Sequence, residues 1–366
     1  MNTNSGAAAE IADSHVVGTA GFSWSASTAL KGVAVLLMVF HHCYGFPQWF
    51  VSPDLIPSGL GGGVTRACAG HAKICVAIFA FLTGWAYYRH KDKSLGYTLR
   101  KIVGLMVDFA VILFFVMLIA CLFCGYKLSC FNILSEFLPF SELHRLVLFS
   151  WYIGFYVIIM CLLPFLESTC QVKNVWCRIV LWLAAGICLV FSAAILNIPH
   201  LTVWFPCAVS GYACSRLCLF EKVCSYWQRR SCAAVAAIVF FLLAGVTSIL
   251  SGGSFEYFLP GHHYSSGVIT VPLICCGWIL LLPAIERLKL TGALMQLGKH
   301  SLNIWLLHSV FFSSVTRALF QPVAYAVDSP LYVLPFVVGS CYLASLGIKP
   351  LQNAFRGFIL RRLEGL

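Results

Sequence analysis

Lys31 and His42 lie on one apolar segment, Ala29-Leu-Lys-Gly-Val-Ala-Val-Leu-Leu-Met-Val-Phe-His-His. A cation and an imidazole are both costly to keep in a hydrocarbon environment, so their presence there points to a task. Eleven residues separate them, which at roughly 100° per residue is three turns plus about 20° and places both side chains on one helix face. A rise of roughly 1.5 Å per residue sets them about 16 Å apart along the axis. His41 is turned about 100° from His42 and points elsewhere. A phosphate-gripping cation and a general base at that separation would suit one extended donor molecule. Kept from water, the His42 imidazole is expected to be neutral and able to accept a proton from a hydroxyl. Taken singly, Lys31 reads as an interfacial anchor and His42 as a polar group satisfied by a neighbouring helix; the shared face is what favours chemistry.

Other polar groups cluster in two loops. The segment Arg89-His-Lys-Asp-Lys-Ser-Leu-Gly-Tyr-Thr-Leu-Arg-Lys is the densest run of cations. It serves topology and lipid headgroups, and Arg100 and Lys101 at its end could add a phosphate site. Asp108, about two turns inside the next apolar run, needs a partner; Lys31 or Arg100 would neutralise it. The segment Ser251-Gly-Gly-Ser-Phe-Glu-Tyr-Phe-Leu-Pro-Gly-His-His-Tyr-Ser-Ser has no Lys or Arg. Its aromatics together with Glu256, His262 and His263 suit a carbohydrate acceptor, although an interfacial aromatic belt would look much the same.

The elements that must position these groups follow from composition. Of 366 residues 60% are hydrophobic and 10% charged, with a mean hydropathy of +0.88. Soluble domains carry roughly 25% charged residues, so this chain cannot cover itself with a wetted surface. Apolar runs of about 17 to 22 residues without strict alternation select helices over a barrel. The expectation is an all-α polytopic membrane protein with about ten spans: 28–46, 72–88, 102–124, 146–166, 177–197, 201–220, 231–251, 268–285, 301–320 and 331–348. Residues 1–27 read as a disordered cytoplasmic tail that lacks the layout of a cleaved signal. Residues 28–348 read as one membrane domain, and 349–366 as a basic cytoplasmic tail.

Cations fix the expected orientation. Alternating the loops leaves Arg66, Lys73, Lys127, Arg145 and Arg317 on one side and the rest of the 24 Lys and Arg on the other. By the positive-inside rule both termini are cytoplasmic. The net charge of +11 is then a topology signal and a contact with anionic membrane lipid, not a nucleic-acid footprint. The 18 cysteines sit mostly in apolar runs, where they behave as small hydrophobes. Their spacing offers no metal site, and Cys68 with Cys130 is the one pair considered for an outside disulfide.

Four places, in order, resemble a known family. They are the Lys31-to-His42 segment, Phe79-Ala-Phe-Leu-Thr-Gly-Trp, Ser150-Trp-Tyr-Ile-Gly-Phe-Tyr, and Leu297-Gly-Lys-His-Ser-Leu-Asn-Ile-Trp-Leu-Leu-His308. Together they look like the integral-membrane O-acyltransferases of the acyltransferase three family, over about residues 27 to 348. The resemblance implies transfer of an acetyl group from cytoplasmic acetyl-coenzyme A to a hydroxyl of a cell-envelope glycan or lipid-linked saccharide, in the plasma (bacterial inner) membrane. It implies His42 as the catalytic histidine, either as base or as acyl carrier. Lys31 stands where the family usually has arginine, and lacks the planar fork of that side chain. Arg100 matches a cytoplasmic arginine of the family, and Val103 replaces its usual basic companion. Thr83 stands for a common serine. With Lys31, Arg100 and Lys101 on the coenzyme, Trp151, Tyr152 and His308 are left to shape the cavity or orient the imidazole. No metal is implied, and neither the sugar nor the oligomeric state is readable.

The rival reading is a secondary transporter or lipid-linked glycan flippase, which would also have about ten spans and ionisable groups within the membrane. It predicts two matching halves with interrupted helices, and no such repeat is visible. A purely structural envelope partner gives no reason for the Lys31–His42 face.

Overall fold

A computed structural model describes residues 21–51, 62–138, 145–177, 200–227, 232–254, 267–327 and 329–364, with isolated positions from 179 to 186. Among these residues the architecture is all-α, with no strand. The helices are α1 (Trp24–Gly45), α2 (Gly62–His71), α3 (Ile74–Arg89), α4 (Leu95–Cys124), α5 (Cys130–Phe137), α6 (Trp151–Gln171) and α7 (His200–Arg216). They continue as α8 (Leu219–Trp227), α9 (Ala233–Ser254), α10 (Gly267–Arg287), α11 (Leu290–Lys299), α12 (Ser301–Leu307), α13 (Arg317–Ala324) and α14 (Pro330–Glu364). Six helical stretches are long and apolar enough to cross a membrane, and seven if α7 and α8, bent by 58°, make one span. The bend follows Cys218, whose backbone is left-handed at φ 51°.

Several expected boundaries shift. The chain enters α1 at Trp24 rather than 28, with the Ser23 hydroxyl accepting the Ala26 amide at 3.1 Å as its N-cap. The expected ninth span, 301–320, is not one helix. Its helix α12 passes into a 3₁₀ turn over His308–Phe311, and α13 follows after a break. The stretch 349–364 expected as a tail continues α14 without interruption. Most of 177–197, and residues 1–20, lie outside the described residues. Cys68 and Cys130 are free thiols.

Two helix pairs meet backbone to backbone through glycine. A β-carbon on Gly32 of α1 would fall 2.1 Å from the Leu294 carbonyl oxygen of α11, and one on Gly298 of α11 would fall 1.9 Å from that of Thr28. The same reciprocity joins α3 and α7. Gly84 faces the Ala208 carbonyl at 1.8 Å and Gly211 faces that of Phe81 at 2.0 Å by the same measure. Small residues permit this approach, which in lipid replaces a hydrophobic driving force with close packing. Both joints lie toward the Lys31 end of α1 and the Arg89 end of α3.

Asp108 finds neither expected partner. Its carboxylate pairs with Arg356 of α14, while the Gln352 side chain donates to the Asp108 carbonyl at 3.0 Å and exchanges hydrogen bonds with Asn303 of α12. This buried set ties α4, α12 and α14 together with its charge paired, which is the condition for keeping a carboxylate there.

Candidate active site

The helix α1 runs unbroken from Lys31 to His42, and both residues line one cavity of about 940 Å³. That is the upper part of the roughly 300–1,000 Å³ range of ligand pockets. At the Lys31 end the wall adds Lys101, His90 and Tyr97. Lys31 and Lys101 are near enough for their charges to repel. His90 and Tyr97 stack at 3.9 Å between ring centroids, and the Lys101 ammonium lies 5.5 Å from the Tyr97 ring centre. Midway the wall is formed by Thr83, Trp151, Tyr152 and Tyr156, and at the far end by His42, His41, Phe46, Trp49, Lys73 and Phe149.

The far end is held rigidly. His42 stacks on Phe149, with centroids 3.8 Å apart and planes 12° from parallel. The segment leading to Phe149 is anchored by the buried Glu136 carboxylate, which accepts the backbone amides of Arg145 at 2.6 Å and Leu146 at 3.0 Å. Trp49 stacks on Phe46 at 3.8 Å, and its carbonyl accepts from Arg317 at 3.1 Å and Gln321 at 2.9 Å. His41 donates from Nδ1 to the Ala69 carbonyl of α2 at 2.6 Å. It is therefore tied to a neighbouring helix as its angle implied, although its ring also reaches the cavity wall.

The protonation pattern around His42 follows from one acceptor. The Trp305 carbonyl can only accept, so His308 must donate to it from Nδ1. A neutral His308 then offers a lone pair at Nε2, which lies 2.7 Å from Nδ1 of His42. His42 is therefore the donor in that bond, and its own Nε2 carries the free lone pair. The two imidazoles form a directed chain that ends in a base on the cavity wall. His308 itself is fully buried, and its place at the 3₁₀ turn brings its ring back toward the carbonyl three residues earlier.

The expected site residues thus divide. Lys31, Lys101, Trp151 and Tyr152 share the cavity with His42, and His308 touches His42 from behind. Arg100 is absent from that wall. It pairs with Asp92 at 3.0 Å, both side chains well exposed. Hydrogen bonds from Ser94, first from its hydroxyl and then from its amide, hold the Asp92 carboxyl below the usual carboxylate range, so the pair stays charged at neutral pH. Glu256, His262 and His263 lie outside the described residues. Lys73, Trp49, Phe149, His90 and Tyr97 were not singled out from sequence. Only Lys73 gave a signal, as one of five cations on the sparsely charged side. Among the described residues no group of three His, Cys, Asp or Glu gathers to hold a metal.

Comparison with known proteins gives one match. A family model described as an acyltransferase domain covers residues 24–348. No curated protein and no solved structure matches the chain.

Proposed function

The chain belongs to the acyltransferase three family, and from that premise we propose that it moves an acetyl group from acetyl-coenzyme A to a hydroxyl of a surface or lipid-linked saccharide. The family and the apolar helices make it a multi-pass membrane acyltransferase. The observation that carries the finer reading is a single cavity with two repelling ammonium groups at one end and a base with a free lone pair at the other.

Lys31 and Lys101 bind the coenzyme phosphates on the cytoplasmic face, where two neighbouring cations with no salt bridge among the described residues gain from an anion. The stacked His90–Tyr97 pair offers a flat surface to the purine. The pantetheine arm lies along the wall of Thr83, Tyr152 and Tyr156, which brings the thioester to His42. Nε2 of His42 takes the proton from the saccharide hydroxyl as the oxygen attacks the thioester carbon. His308 accepts from the Nδ1–H throughout, so the imidazolium is stabilised where it forms. Collapse of the tetrahedral intermediate breaks the carbon–sulfur bond, and the proton on Nε2 passes to the departing thiolate. On this reading the donor enters from one side and the acceptor from the other, and the protein works in the plasma (bacterial inner) membrane.

The test is release of free coenzyme A thiol by purified protein in detergent, with acetyl- and succinyl-coenzyme A compared. Wild-type protein is expected to turn over the acetyl thioester, and His42→Ala, inserted to the same level, is expected to lose that turnover. Full turnover by His42→Ala removes the histidine from the reaction. A wild-type protein inert toward every thioester returns the case to a carrier.

A further inference from the structure

Lys73 stands in the turn between α2 and α3, at the His42 end of the cavity and on its wall. One turn earlier the Ala69 carbonyl holds His41, and Lys73 lies within electrostatic range of both His41 and His42. Every salt bridge of the described residues joins other partners: Arg89 with Glu221, Lys93 with Glu167, Arg100 with Asp92 and Arg356 with Asp108. The buried carboxylate at that end, Glu136, accepts the backbone amides of Arg145 and Leu146 ahead of α6. Lys73 is therefore a partly buried cation without a carboxylate among the described residues, and it shares the cavity wall with Trp49 and Phe149. Burying a charge is unfavourable until an opposite charge meets it, and the coenzyme phosphates are assigned to the other end of the cavity.

We propose that Lys73 is an acceptor-recognition residue, and that the saccharide acylated here carries an anionic group, carboxylate or phosphate, seated on the Lys73 ammonium while its ring lies against Trp49. This rests on the acyltransferase reading and narrows it to one class of acceptor. The anion fixes the register of the sugar, so that one hydroxyl faces Nε2 of His42. A point-charge ammonium tolerates either anion, whereas a planar fork would select a bidentate geometry.

The test is thermal unfolding of the full chain in detergent, at constant ionic strength, with four probes: glucuronate, glucose 6-phosphate, methyl glucuronate ester and glucose. One or both charged sugars are expected to raise the midpoint saturably while the ester and glucose do not, and the one that acts identifies the anion. Lys73→Met is expected to weaken the effective charged sugar about tenfold or more. Lys73→Arg and Lys31→Met are expected to retain it, the latter separating this site from the coenzyme end. No response to either charged sugar, an equal response to the ester, or an unchanged response in Lys73→Met overturns the assignment. A uniform loss of turnover in Lys73→Met, with wild-type affinity for the charged sugars, also overturns it, since the ammonium would then serve the reacting oxygen. The two readings fail separately: His42-dependent thioester turnover without an anion response defeats only the acceptor class, and a Lys73-dependent response without turnover defeats only the enzyme.

Discussion

His308→Phe isolates the bond that the tautomer argument depends on. Phenylalanine keeps an aromatic ring where His308 stacks on Phe149, with centroids 4.8 Å apart and planes 5° from parallel, but it cannot accept the Nδ1–H of His42. The 2.7 Å contact is neutral in the resting protein and becomes charge-assisted once His42 holds a second proton. A hydrogen bond to a charged group contributes about 1.5–3 kcal/mol, which at about 1.4 kcal/mol per tenfold predicts a loss of about 10- to 100-fold in kcat. The charge exists only as the reaction proceeds, so the donor KM is expected to stay near wild type. His308→Gln supplies the control: its carbonyl can accept from His42 while its amide donates to the Trp305 carbonyl, so most of the rate is expected to return. Steady-state thiol release in detergent, over a range of acetyl-coenzyme A concentrations, measures both constants, and thermal unfolding checks that each variant is folded. A His308→Phe enzyme with wild-type kcat refutes the directed chain. So does a Gln variant as slow as Phe, or a defect confined to donor KM.

Two further outcomes follow from the geometry. Lys31→Met and Lys101→Met are expected to raise the donor KM by about tenfold or more, Lys31→Arg to retain a low KM, and Arg100→Met to change it little, because only the first two cations line the cavity; titration of acetyl-coenzyme A in the thiol assay ranks them. Gly32→Ala forces a β-carbon to within 2.1 Å of the Leu294 oxygen, an overpacking that costs about 1–3 kcal/mol or more, so its melting temperature is expected to fall; Gly357→Ala, with nothing within 4 Å, is expected to be neutral or stabilising by about 0.5–1 kcal/mol.

The first helix and the shared face of Lys31 and His42 were legible because they depend on local rules. A fixed angular period puts Lys31 and His42 on one face, and an uninterrupted apolar run keeps the helix straight between them. The same period separates Arg100 from Lys101 by about 100°, so only one of the two can face inward. Which one does so is decided by packing and by Asp92, and no periodicity reveals that. Asp108 needed a partner by its charge, but the partner stands 248 residues away on α14, within a stretch whose cations looked like a solvated tail. The break at His308 was hidden for a similar reason. Its apolar run continues past the turn, so composition reads as a span while hydrogen bonding from Ser313 and Thr316 to nearby carbonyls redirects the chain. Lys73 and Trp49 lie in turns, where side-chain direction is set by tertiary contacts rather than by a repeating angle.

The reciprocal glycine joints bear on the walls of the chamber. With α1 pressed onto α11, and α3 onto α7, at carbonyl contact, neither pair can slide or spread without losing its packing on both sides at once. Helices stitched this way hold Lys31 of α1 and Thr83 of α3 on walls whose backbones are fixed against their neighbours, so the cavity keeps its lining at that end.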